Sequence, residues 1–425
     1  MGIRAWLIEH KRYISNLGTT FISQGVTALS LLFLTPLLVT RLGESEFSMY
    51  GVLLNVIVIA SIFDLGLNAG LCHRLIQEPE RRNLLINAVF FYSPIVFLIG
   101  IPVFFLIFYL GWVNVSSSYW LLAIIVALAV SQNMLALQFE SILQSVNKIY
   151  VAKLLRMSKT IVESVLFYLI SAGGQLEFLL MATVGVNFLF LLALYLFAKK
   201  QLNFNLSWSF FNWIALGSQL KYSFWYFQSM LATVIAYNVQ IVVMSHYLTS
   251  TQMAIFLMVF RFYEVLRLGM TNFTQILFPS ISSLQARGEW GLLFSKFKEV
   301  WLRVLIFSLL VFAALLVWGN QIFVWWSKYD SSESRLLFVS YAIYLFLLVI
   351  DHVSVIFLLG LKFNRTPSIV STIQSFISIL VTVFFIKIWG LPGVVWASML
   401  LFVTTSLIFN PVYLIRKLKE RQPVL

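Results

Sequence analysis

The feature that most constrains this chain is a succession of apolar windows, each about as long as a bilayer is thick. A helix needs about 20 mostly apolar residues to cross the hydrocarbon. Windows of roughly that size fall at 14–40, 47–72, 85–110, 119–145, 155–172, 177–198, 222–248, 252–278, 300–319, 335–361, 367–388 and 391–415. In lipid every backbone N–H and C=O must be satisfied within the segment, which selects helices for spans of this length. Composition agrees: mean hydropathy is +0.92 and 11% of residues are charged, against about 25% in soluble domains. The sequence predicts an all-α integral membrane protein of about twelve transmembrane helices, in two six-helix lobes around a central cavity. The lobes are 1–198 and 222–425, joined by a cytoplasmic interfacial linker at 199–221.

A net charge of +13 raises the question of nucleic acid, and the positions of the charges answer it. Lys and Arg accumulate in cytoplasmic loops of membrane proteins. With the N-terminus inside, inner connections collect groups such as Arg74, Arg81 and Arg82, then Lys199, Lys200 and Lys221, and finally Arg416, Lys417, Lys419 and Arg421. Outer connections receive only Arg41, Lys328, Arg335 and Lys387. The alternation predicts that both termini are cytoplasmic, makes the basic excess topological, and leaves no nucleic-acid partner. The apolar run after the basic stretch Met1–Arg12 is too long for a cleaved leader, so it is read as a retained first helix. Outer loops such as 43–46 and 111–118 are too short to hold a catalytic domain, which argues against a membrane polymerase or glycosyltransferase. Cys72 is the single cysteine, and His352 has no second ligand at metal spacing. No disulfide, metal or cofactor is expected.

Several segments carry a resemblance. "TPLLVTRLGESEFSMYGV" at Thr35–Val52 and "FDLGL" at Phe63–Leu67 resemble the first two helices of bacterial polysaccharide flippases. "LLGLKFNRTP" at Leu358–Pro367 and "WGLPGVVWAS" at Trp389–Ser398 resemble that family's helix 10–11 turn and its entry to helix 12. These flippases belong to the multidrug/oligosaccharidyl-lipid/polysaccharide exporter superfamily. The resemblance implies translocation of an undecaprenyl-diphosphate-linked oligosaccharide, such as an O-antigen unit, from the cytoplasmic to the periplasmic leaflet of the bacterial inner membrane. It also implies a polysaccharide polymerase and chain-length machinery as partners. The chain departs from the pattern at Ser48, where the family usually has Gly, and in a first span without charge. A drug or metabolite antiporter of the same superfamily is the rival reading, distinguished by an acid-dominated cavity.

Ionisable residues inside spans are expensive and mark pathways or partners. Arg261, Glu264 and Arg267 recur every third residue of the eighth span, within one stripe of about 120°. The predicted role is diphosphate binding by the two arginines, with Glu264 positioning one of them; the alternative is an internal ion-pair ladder. Gln132 and Asn238 are amides suited to sugar hydroxyls or to interhelical bonds. Asp64, Asp351, Glu140 and Glu163 are candidate acids for a coupling H+ or Na+, each also readable as a structural contact. A faint repeat lays Met49–Leu67 on Met253–Met270, setting Asp64 opposite Arg267.

Overall fold

The computed structural model describes residues 11–111, 119–173, 176–275, 277–363 and 365–421. The predicted basic N-terminus up to residue 10, and most of the predicted outer loop at 111–118, lie outside the described residues. Regular structure among the described residues is helical throughout. Contacts divide the chain into two units, Met1–Val234 and Ile235–Leu425, each taken separately below.

The first unit opens with α1 (Lys11–Ala60), which contains two spans that meet at Gly43, a left-handed break at φ 79°. The second span does not run smoothly to residue 72. After a short 3-10 segment at Ser61–Asp64, Leu65 and Gly66 are left-handed at φ 50° and 72°. The chain then restarts as α2 (Leu67–Gln77). Gly66 and Gly70, four residues apart, bring α2 against α8 (Trp213–Val234). A Cβ at Gly66 would stand 2.7 Å from both Phe227 N and Ser223 O, so only glycine permits this approach. At the other end of α2, Arg74 donates to both Glu78 oxygens at 2.9 and 3.1 Å and to Gln219 Oε1 at 3.1 Å. Those bonds hold the Glu78 carboxyl below its usual range.

The third span is split into α3 (Arg82–Phe90) and α4 (Tyr92–Tyr109). Next come α5 (Tyr119–Ser145), α6 (Ile149–Ile170) and α7 (Leu176–Leu202). Helix α5 is the hub of this unit. It packs on α4, α7 and α2, and buries Leu122, Val126, Phe139 and Leu143. The stretch after α7 is tied back to the unit by two buried or half-buried amides. Asn87 Nδ2 donates to Asn205 O at 2.8 Å, and its Oδ1 accepts from Ser207 N at 2.9 Å, while Asn83 Oδ1 accepts from Asn205 N. These bonds satisfy backbone groups that no helix serves.

The second unit starts with a π-helical turn, Ile235–Val239, followed by α9 (Gln240–Met244), which completes the seventh span. It continues with α10 (Ser250–Gln275), α11 (Phe278–Ala286), α12 (Trp290–Ala314), a second π turn at Leu315–Gly319, and α13 (Asn320–Ser327). Then follow α14 (Ser332–Gly360), α15 (Arg365–Trp389), α16 (Leu391–Thr404) and α17 (Ser406–Arg421). Helix α14 is the hub, packed on α10, α12, α16 and α17 and buried at Leu337, Phe338, Val349, Val353 and Phe357. A Ser331–Ser334 capping box fixes its start.

Eight helical stretches among the described residues are long and apolar enough to cross a membrane, and Gly18–Asp64 alone holds two predicted spans. Helices α6 and α10 are absent from that set because they carry charge. Helix α6 begins at Ile149, six residues before the predicted fifth span, so Lys153 joins Arg156 and Lys159 in the helix. Paired charges make that register tolerable: Arg156 meets Glu140 at 2.5 Å and Lys159 meets Glu163 at 3.5 Å.

Candidate functional site

Helix α10 places its chemistry on one face. Phe256, Phe260, Glu264 and Arg267 follow at intervals of four, four and three, the spacing of a single helical face. All four line a cavity inside the second unit. Tyr341 and Tyr344 from α14, Gln240 from α9 and Ser398 from α16 contribute the other walls. The cavity measures about 50 Å³ in the space open to water centres, enough for a few waters, since one needs about 10–15 Å³.

The walls are held by bonds that leave little freedom. Tyr263 is buried, donates to Phe338 O at 3.0 Å and stacks on Tyr341 with centroids 5.5 Å apart. Gln240 bridges three helices: its Nε2 donates to Ser378 Oγ at 2.8 Å, and its Oε1 accepts from Ser398 Oγ at 3.3 Å. Glu264 Oε2 accepts from Arg261 Nη1 at 2.6 Å. Arg261 therefore reaches the cavity through Glu264; it is not one of the lining side chains. The two arginines and one carboxylate leave one net positive charge on this face. On α14, His352 Nε2 is buried with no hydrogen-bond partner among the described residues.

The other candidates sit elsewhere. Asn238 is half-buried in the π turn, two residues before Gln240, and does not line the cavity. Asp351 is buried in the second unit and accepts from Asn410 Nδ2 at 3.1 and 3.0 Å through its two oxygens. It joins α14 to α17 apart from the cavity lining. In the first unit, Gln132 Nε2 donates to Val184 O at 3.1 Å, tying α5 to α7. Asp64 is buried at the break in the second span, where its Oδ1 accepts from Asn68 Nδ2. Glu140 and Glu163 are the partners of Arg156 and Lys159, on a stripe of α6 with Lys153. Of the nine candidates, the structure gathers Arg261, Glu264 and Arg267 into one cluster.

Two features escape the sequence reading. The aromatic wall of Phe256, Phe260, Tyr341 and Tyr344 is masked by a composition that is 16% aromatic throughout. Its available signal is that Phe256 and Phe260 share the face of Glu264 and Arg267. The cationic stripe Lys153, Arg156 and Lys159 is visible as a three-residue spacing once the helix start is moved to Ile149.

No protein-family model matches the sequence, and no curated protein matches it. Solved structures do match. The lipid II flippase MurJ in an inward closed conformation superposes with a TM-score of 0.76 at 16% identity, covering 96% of this chain and 87% of that one. An inward-facing multidrug resistance transporter of the MATE family gives 0.73 at 15% identity, covering 92% and 95%. A MOP-superfamily transporter from Pyrococcus furiosus, described as having a binding pocket of reverse polarity, gives 0.65 at 15%, covering 96% of each. These neighbours are transporters and a flippase, and none is an enzyme. The chain has the all-helical fold shared by membrane transporters and flippases of the MOP superfamily, the multidrug/oligosaccharidyl-lipid/polysaccharide exporters.

Proposed function

We infer that this chain is a flippase for an anionic, lipid-linked headgroup: a polyprenyl-diphosphate-linked oligosaccharide of the O-antigen type. It works in the bacterial inner membrane with both termini cytoplasmic, moving the headgroup to the periplasmic leaflet by alternating access. The observation that carries this reading is the polarity of the cavity face in the second unit. Its one lining carboxylate, Glu264, is already spent on Arg261 at 2.6 Å, and Arg267 puts a guanidinium into the lining. A planar guanidinium matches phosphate oxygens two at a time, and the aromatic wall offers apolar faces to the rest of the headgroup. A coupling H+ or Na+ at Asp64 or Asp351 would reset the cycle by binding the two access states unequally. A polymerase and chain-length machinery would receive the product.

A second reading, a cation antiporter, draws on Glu264 standing in an aromatic-walled cavity and on the fold shared with multidrug transporters. One experiment separates them. In proteoliposomes, leaflet exposure of a polyprenyl-diphosphate oligosaccharide is followed beside efflux of a cationic dye. The flippase reading expects protein-dependent movement of the glycolipid and none of the dye. Dye movement without glycolipid movement would establish the antiporter.

A further inference from the structure

A second cavity lies at the end of the second unit where its helices terminate. About 430 Å³ in volume, it is lined by Ser282, Gln285, Trp290, Lys362, Phe363 and Arg421. It is independent of the transport cavity and shares no residue with it. Three segments build it. Ser282 Oγ donates to Gly360 O at 3.2 Å and Gln285 Nε2 donates to Leu361 O at 2.9 Å. These bonds clamp the turn after α14 onto α11, and the turn carries Lys362 in a left-handed conformation at φ 59°. Arg421, the last residue of α17, brings its guanidinium over the Trp290 ring at 5.8 Å.

Among the described residues no ion pair compensates the charge in this pocket. The nearest carboxylate in sequence to Arg421 is Glu420, which is taken by Arg416 at 2.9 Å and Lys417 at 2.7 Å. Glu289, beside Trp290, is taken by Arg287 at 3.2 Å. Among the described residues no carboxylate forms an ion pair with Lys362 or Arg421. Lys419 adds a second positive charge to the last turn of α17 beside Arg421. Trp290 and Phe363 line the pocket with aromatic faces, and Trp290 opens the apolar span Trp290–Ser327, of whose most apolar window only 6% is buried.

Two cations, the Ser282 hydroxyl and a tryptophan at the start of an exposed apolar span describe a water–lipid boundary that attracts anions. Trp and Tyr favour the headgroup level of a bilayer, and basic pockets between helix ends hold phospholipid headgroups. A soluble anion would have no use for the exposed apolar span that begins at the pocket. We propose that this pocket binds the phosphate of an anionic phospholipid headgroup, with Lys362 and Arg421 on the phosphate and the acyl chains along the exposed apolar span that starts at Trp290. The bound lipid would tie the C-terminal end of α17 to the turn between α14 and α15.

The test is native mass spectrometry of the delipidated full-length protein in detergent, titrated with phosphatidylglycerol, phosphatidylcholine or inorganic phosphate. Wild type should retain phosphatidylglycerol at least tenfold more tightly than phosphatidylcholine. Lys362→Gln/Arg421→Gln should lose about tenfold in phosphatidylglycerol affinity and leave phosphatidylcholine unchanged. Lys362→Arg/Arg421→Lys keeps the charges and should keep the lipid. The proposal is overturned if the neutral variant binds phosphatidylglycerol like wild type. It also fails if the charge-conserving variant loses the lipid as fully as the neutral one, which would mark a structural defect. Wild type that takes up inorganic phosphate but does not prefer phosphatidylglycerol would assign the pocket to a soluble phosphate and sink the lipid.

Discussion

Replacing Arg267 with Ala should lower the initial rate of glycolipid translocation about 30-fold. Arg267 is the guanidinium that lines the cavity directly, whereas Arg261 reaches it through Glu264. A charge-assisted hydrogen bond contributes about 2 kcal/mol, and about 1.4 kcal/mol is a factor of ten in rate. Arg267→Lys keeps the charge but loses the two-pronged fork, so it should fall between Ala and wild type. Arg261→Ala should be milder in binding, because Arg261 does not line the cavity, although its loss frees Glu264 from its partner and takes the face from positive to neutral. Arg303→Ala removes an exposed arginine that pairs with Glu299, and should transport normally. The check is the proteoliposome assay, run on variants whose melting temperatures match wild type. Equal rates for Arg267→Ala and wild type would detach this helix face from substrate handling.

The largest structural effect is expected at Gly66. Its φ of 72° costs a side chain about 1–2 kcal/mol, and a Cβ there would meet backbone atoms of α8 at 2.7 Å. Backbone cannot swing aside as a side-chain tip can, so the packed helices must separate, at about 1–3 kcal/mol more. Gly66→Ala should drop the melting temperature in detergent by roughly 5–10 °C. Gly185→Ala, where nothing lies within 4 Å, should melt with wild type or slightly above, since Ala favours helix. If the two variants melt alike, the α2–α8 approach does not depend on glycine.

The spans were legible in the sequence because lipid imposes one simple rule, apolar length, on every one of them. Breaks within spans were not. The second span reads as continuous apolar residues, yet Asp64, Leu65 and Gly66 interrupt it. Hydropathy is blind to φ, and the lone glycine beside a buried acid was the only local sign. The start of α6 was misplaced for a related reason. Lys153 lies ahead of the predicted span, and Arg156 gains its partner Glu140 only when α5 packs alongside, while Lys159 has Glu163 one turn away in its own helix. The charged cluster of α10 could be found in advance because three-residue spacing is written directly in the chain. The tyrosines facing it come from α14 and are joined to it only by packing. Asp351 shows the reverse case: its type hinted at coupling, while its fixed partner Asn410 is separated by 59 residues and carries no short-range signal.

The claim on which the rest depends is that the Glu264–Arg267 face looks into water and not into lipid or a dry seam. Cys72 is the single cysteine and is buried, so a Cys72→Ala background allows one reporter at a time. Ser398→Cys and Tyr344→Cys place thiols on the cavity wall, and Leu380→Cys places one on a residue 74% exposed on an apolar span. A charged, membrane-impermeant thiol reagent should modify the two wall positions and spare Leu380→Cys. Inert thiols at both Ser398→Cys and Tyr344→Cys, under conditions that label a control cysteine in a polar turn, would contradict a hydrated site.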